Sequence, residues 1–218
     1  MSTSKKIVCG VSNAEVTEKK SRFIASCRSI SSEEEALSLI AAERKRYFDA
    51  RHTCFAYVCG DNNETVRFSD DGEPRGTAGK PILDIITGNN LKNALITVTR
   101  YFGGTLLGTG GLVRAYSSSA AMAVEEGIAS GTILESEKGA VIKIELAYKD
   151  IGRFEHLCQS LGVQTDDKYF GENAVYTLLV RSTQIQTFKK DVSDLTNGNA
   201  KIEEGPLTDF VFKSSGSF

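Results

Sequence analysis

The stretch Val141-Ile142-Lys143-Ile144-Glu145-Leu146-Ala147 decides how the second half of the chain folds. Apolar residues at 142, 144 and 146 alternate with charges at 143 and 145, the period of a strand with one buried face. Toward the C-terminus, Asp150 is placed to cap a helix running to Leu161. Val163–Tyr169 and Ala174–Arg181 read as strands flanking the turn residues Gly171-Glu172-Asn173. Ser182 or Thr183 starts a second helix, to about Leu195. Asn197-Gly198-Asn199 then turns into a last strand over about 201–212. The order β-α-β-β-α-β is that of a ferredoxin-like domain. The tail, Lys213–Phe218, reads as frayed.

Toward the N-terminus the composition changes at Ser130-Gly131, because residues 60–131 hold most of the 20 glycines. The boundaries predicted are a first domain over 1–131, a linker over 132–138 and a second domain over 139–218. Within the first domain Ser21–Cys27 reads as a strand. Ser32-Glu33-Glu34-Glu35 matches a capping box opening a helix to about Phe48, with Leu37, Ile40, Tyr47 and Phe48 facing inward. His52–Cys59 and Glu64–Ser69 read as a hairpin around the turn cluster Gly60-Asp61-Asn62-Asn63. Pro81 suits the first turn of a helix ending at Gly88. Ala94–Phe102 is β-branched and aromatic, hence a strand, and Gly110-Gly111 leads into an Ala-rich helix over about 112–129. The fold class expected is α+β.

Bulk composition narrows the function. The 218 residues carry 26 Lys+Arg and 28 Asp+Glu, a formal charge of −2, with 40% apolar and 25% charged residues. That is too apolar and too weakly charged for disorder. No stretch approaches the ~20 apolar residues of a membrane helix, so no membrane partner is expected. The start, Met1-Ser2-Thr3-Ser4-Lys5-Lys6, lacks the apolar core of an export signal. Five cysteines without a C-x-x-C pair then point to reduced thiols and a cytoplasmic location. Residues 1–130 carry 16 basic and 15 acidic groups against 10 and 13 in 131–218, so a polyanion site belongs to the first half.

The glycine-rich loops carry the most information. Neither standard nucleotide cradle is present: Pro74 stands six places before Lys80 where a P-loop needs Gly, and Val113 replaces the third Gly of a dinucleotide fingerprint. Yet both loops run into helix N-termini, near Pro81 and Leu112, with Lys80 and Arg114 in or beside the first turn. A cation there opposes the helix dipole at ~0.3–1 kcal/mol, while free amides beside a cation attract an anion. One reading is phosphate or nucleic-acid binding. The other is tight packing, with Lys80 and Arg114 paired to Asp70, Asp71 or Glu73. His52 and Cys54 share a strand face and could form a nucleophilic dyad, or Cys54 could pack as a small apolar residue. Asp70, Asp71 and Glu73 could do acid–base work or simply pair internally. Tyr101-Phe102 could stack bases or serve as core. With His52 and His156 as the only histidines, no zinc site is expected.

Ser69-Asp70-Asp71-Gly72-Glu73-Pro74-Arg75-Gly76-Thr77-Ala78-Gly79-Lys80-Pro81 and the block Arg100–Tyr116 resemble the IMPACT family in its bacterial YigZ-type, two-domain form. Lys20-Ser21-Arg22-Phe23 and Arg51–Tyr57 are similar to it as well. The likeness covers nearly the whole chain. Departures at Arg75 and Lys80 keep or add positive charge. The resemblance implies a first domain similar to the second domain of ribosomal protein S-five, and a ferredoxin-like second domain similar to a domain of elongation factor G. It also implies a role in translation: eukaryotic relatives compete for an activator of the initiation-factor kinase. Peptidase-like labels given to some members find no catalytic set here.

The expectation is therefore a translation-associated binding protein, with no cofactor and no metal. Its expected partners are RNA, the ribosome or a translation-factor protein. The binding face would comprise Arg51, His52, Arg75, Gly76, Thr77, Gly79, Lys80, Arg100, Thr109, Gly110, Gly111 and Arg114. Two rivals are a hydrolase of phosphate-bearing or peptide substrates, using His52 and Cys54 or the Asp70-Asp71-Glu73 cluster, and a module that binds only protein.

Overall fold

The computed structural model describes residues 5–60 and 63–212. Asp61 and Asn62 of the expected turn cluster, and the tail from Lys213, lie outside the described residues. The chain divides into two compact units, Met1–Glu135 and Ser136–Phe218. Both mix helices with sheet, so the class is α+β.

The first unit runs β1 (Lys6–Val8), β2 (Val11–Glu18), β3 (Ser21–Ser29), α1 (Glu33–Arg46), β4 (His52–Cys59), β5 (Thr65–Ser69), α2 (Gly79–Gly88), β6 (Leu91–Lys92), β7 (Ala94–Tyr101), α3 (Gly108–Ala129) and β8 (Ile133–Glu135). An antiparallel sheet has the order β2-β3-β7-β4-β5, and a small sheet the order β6-β1-β8. Period-2 alternation in the central strands gives the main sheet two buried faces. Phe23, Cys54, Ala56, Ile96 and Val98 pack against Ile82, Ile86, Tyr116 and Ala120 of α2 and α3. Tyr57, Cys59 and Leu95 pack against Ala36 and Ile40 of α1.

Ser32 caps α1 as expected, its hydroxyl accepting from the Glu35 amide at 3.2 Å, while the Glu35 carboxylate reaches back to Ser31. The helix presents Ala36, Ile40 and Glu43 inward. Leu37 and Phe48, expected inside, are 52% and 85% exposed. Leu37 is turned about 100° from Ala36 around the helix, and Phe48 lies beyond its end. The segment 132–138, expected as a linker, holds β8 and the first residues of the next strand.

The second unit runs β9 (Glu137–Leu146), a 3₁₀ turn (Tyr148–Asp150), α4 (Ile151–Leu161), β10 (Gln164–Phe170), β11 (Ala174–Arg181), α5 (Ile185–Thr196), β12 (Lys201–Glu204) and β13 (Thr208–Phe210). All pairings are antiparallel, in the order β10-β11-β9-β12, with β13 also on β9. The β-α-β-β-α-β order is as the alternation predicts. The expected single last strand is split where Gly205-Pro206 interrupts it. Phe154, Phe188, Tyr176 and Ile142 centre the core. Asp150 does not cap α4 with its side chain; it is buried and pairs with Arg153. No helix among the described residues is long and apolar enough to cross a membrane.

Candidate functional site

The site grows from one row of side chains across the main sheet. Arg100 on β7 is the register partner of Phe23 on β3 and His52 on β4, so the three share a face. Arg100 is 6% exposed, and its guanidinium lies 5.5 Å from the ring centres of both Phe23 and Phe102. A buried cation needs a partner. Glu73 supplies it, with Nη1 donating to Oε1 at 2.7 Å. The same oxygen accepts from the Tyr116 hydroxyl at 2.8 Å. Burial first, then neighbouring Cys54 and Glu73, push the Tyr116 phenol far above its ordinary pKa, so it stays a donor.

The loop after β5 arranges the other two carboxylates. Asp71 (φ +43°) and Gly72 (φ +86°) turn the chain back on itself, with the Glu73 amide donating to the Asp70 carbonyl at 2.9 Å. Positive φ at both central positions is a type I′ turn, which Asp-Gly suits. Asp70 accepts from the amides of Gly76, Ala78 and Gly79 at 2.8, 3.0 and 2.8 Å. Burial pushes its carboxyl upward, but those amides and Arg75 outweigh burial and hold it below the usual value. Asp71 accepts from the Thr53 amide at 2.7 Å and pairs with Arg44. All three acids are thus engaged within the protein. No metal-binding group of His, Cys, Asp and Glu occurs among the described residues.

These bonds settle the α2 end. Its N-cap Ala78 and first residue Gly79 give their amides to Asp70, and Pro81 has no amide to give. Gly79 also lies so close to β5 that a Cβ would come within 2.8 Å of the Ser69 backbone. Thr77 is buried and bonds to the Pro74 carbonyl. Lys80 pairs with Asp84 one turn on, not with the loop acids. Gly76, Thr77, Gly79 and Lys80 therefore form a capped terminus, not the expected open cradle.

The α3 end differs. The helix starts at Gly108, four residues before the expected start, so Thr109, Gly110 and Gly111 lie in its first turn. Its N-cap Leu107 makes no side-chain cap bond, no other side chain accepts from its first-turn amides among the described residues, and those amides have no intrahelical partner. Arg114 folds back over this turn, with Nη1 3.8 Å from where a Gly110 Cβ would stand. It is exposed and forms no ion pair among the described residues. Arg114 and Gly111 line a small hollow of about 210 Å³ with Val16, Glu18 and Lys19.

Beside this terminus a pocket of about 440 Å³ opens. Arg51, His52, Glu73 and Arg100 line it together with Gly108 and Thr109. Pro74, Phe102, Leu106, Leu107 and Leu112 give it apolar walls. The structure thus brings Arg51, His52, Arg100 and Thr109 into one pocket and places Arg114 next to it. Arg75 is exposed on the Asp70 loop. Arg100, expected on an open binding face, is instead neutralised in the pocket wall. His52 Nδ1 lies 2.7 Å from the Asp71 carbonyl, an acceptor, so this nitrogen carries the proton. Cys54 is fully buried and donates to the Asp70 carbonyl at 3.0 Å. Burial, opposed only in part by Tyr116, pushes its thiol up to about 12, and the three loop acids add to the rise. The thiol is also not among the residues that line the pocket, so the geometry gives the Cys54 route of the hydrolase reading no support. Sequence reasoning missed the apolar walls; the signal was Leu106-Leu107, two large residues just ahead of a glycine-rich helix start.

A family model for the Impact N-terminal domain matches residues 19–124, and one for a domain of unknown function, DUF1949, matches 144–199. The chain is 44% identical over 190 residues to the IMPACT family member YigZ of Escherichia coli K12, covering 84% of this chain and 89% of that protein. It is 36% identical over 194 residues to the IMPACT family member YvyE of Bacillus subtilis 168, covering 89% and 88%. The chain belongs to the IMPACT family. A crystal structure described as that of an hypothetical protein matches with a TM-score of 0.56 and 28% identity, over 93% of this chain and 97% of that one. At the level of the family, membership supports a translation-related regulatory role. The pocket and both glycine-rich helix ends fall inside the Impact N-terminal match.

Proposed function

We propose that this IMPACT protein acts in translation by docking the open end of α3 on ribosomal RNA. The observation that carries the reading is a helix N-terminus that, among the described residues, has no internal cap and is flanked by exposed Arg51 and Arg114, neither of them in an ion pair. Unpaired amides and the positive end of the dipole favour a phosphate there, and the arginines add long-range attraction. Phe102, 47% exposed at the rim, offers a face on which a base can stack.

Binding of this kind weakens steeply with salt. Co-sedimentation with ribosomes at low and moderate salt, wild type beside Arg114→Ala, tests it. The expected result is salt-sensitive binding that the variant loses, with the melting temperature nearly unchanged because Arg114 is exposed. Equal binding by the variant overturns the site. Salt-insensitive capture of a translation-factor protein would move the docking partner from RNA to protein.

A further inference from the structure

We propose that the pocket beside the α3 terminus binds a small organic carboxylate with an apolar body. The inference goes beyond docking on RNA, which would use the rim and leave the apolar interior idle. At about 440 Å³, the pocket falls in the range of small-molecule sites, and it combines apolar walls with a few convergent polar groups as such sites do. Phe102, Leu106, Leu107 and Leu112 supply apolar lining. Arg51, His52 and the first residues of α3, Gly108 and Thr109, supply polar lining.

The charge count selects the head group. Glu73 cancels Arg100, which leaves the lining one net positive charge, on Arg51. A single carboxylate matches it; the second charge of a phosphate monoester has no counter-charge there. A second observation points the same way. Arg100 lines the pocket and is more than nine-tenths buried, and its Nε has no hydrogen-bond partner among the described residues. An unpaired donor in the wall leaves the site short of acceptors. A carboxylate brings acceptors for Arg51 and an α3 amide.

The test uses the full chain, ¹⁵N-labelled and without ribosomes, titrated with 3-phenylpropionate, with the uncharged 3-phenylpropan-1-ol and with inorganic phosphate. The expected result is saturable shifts at His52, Leu106, Gly108 and Thr109 with the carboxylate. The alcohol should bind about tenfold more weakly, and Arg51→Ala should weaken the carboxylate by a similar factor. Arg51 is exposed, so this variant folds. Three results overturn the proposal: no saturable shift with phenylpropionate, equal affinity for the alcohol, or phosphate binding the same amides as tightly. Failure here leaves RNA docking standing, and failure of ribosome binding leaves the pocket standing. If both hold, saturating carboxylate occupies the α3 amides and reduces co-sedimentation; only that consequence rests on the RNA reading.

Discussion

Two helices of the first unit begin in glycine-rich loops beside a cation, and they end up opposite in character. At α2, Asp70 reaches forward six to nine residues and takes three amides, while Pro81 lacks the next one. At α3, no side chain among the described residues caps the first turn, and Arg114 folds back over it. A glycine-rich helix entry is therefore an anion site only when nothing within the protein already fills it. Glycine permits the close approach; the acid that does or does not make it decides the function.

The largest expected effect comes from the ion pair between these two ends. Glu73→Gln keeps the shape of the side chain but leaves Arg100 charged and uncompensated in a wall where both partners are almost fully buried. A broken buried pair typically costs ~3–5 kcal/mol, read as a lower urea midpoint at unchanged slope. A loss below about 1 kcal/mol would show that the pair is solvated in solution, and the pocket floor would need redrawing.

Next is Asp70→Ala, which converts one terminus into the other. Loss of the cap should cost about 2 kcal/mol. In the wild type, inorganic phosphate should move no amide at Gly76, Ala78 or Gly79; in the variant it should. Any weak shifts at Gly108–Gly110 should be the same in both proteins. If Asp70→Ala gains none, an uncapped terminus is not sufficient. The cap also has a pH signature. The Asp70 carboxyl sits below its ordinary value when folded, so the unfolded chain binds the proton first as pH falls. The stabilisation is complete above about pH 4 and is lost as pH drops through the folded value. Wild type and Asp70→Ala should converge in stability on acidification.

Local patterns made the second unit legible. The strand β9 alternates, Gly162 and Asn197 end α4 and α5 in left-handed caps, and Ala174–Arg181 is bounded to the residue. In the first unit, β2 escaped because Val11–Glu18 is mostly polar, and the short β1, β6 and β8 carry no period. The two glycine blocks are legible as helix entries, and their resemblance supplies the family. The site was half legible. Arg51, His52 and Thr109 do meet, but the Asp70 cap spans a loop. The burial of Arg100 depends on Phe23 from a distant strand. Neither follows from periodicity: the first closes a loop that carries no period, and the second joins strands far apart in sequence that only the folded sheet brings together.

The smallest expected effect bears most directly on the comparison. Lys80 sits in the first turn of α2, where a cation opposes the dipole, and it is paired with Asp84 one turn on. Both groups are about half exposed, so Lys80→Ala removes a weak attraction together with a weak repulsion. Each is worth a few tenths of a kcal/mol, and they are opposed, so stability should stay within about 0.5 kcal/mol of wild type. Ribosome co-sedimentation should also be unchanged, because the amides beside Lys80 already belong to Asp70. Arg114→Ala removes the cation that folds back from the second turn over the start of α3 and should abolish binding. Two neutralised cations, each at a glycine-rich helix start, are thus expected to give opposite results in one assay. If Lys80→Ala loses binding as fully as Arg114→Ala, the bulk field of the first unit sets the affinity. The distinction between a capped and an open terminus would then carry no functional weight.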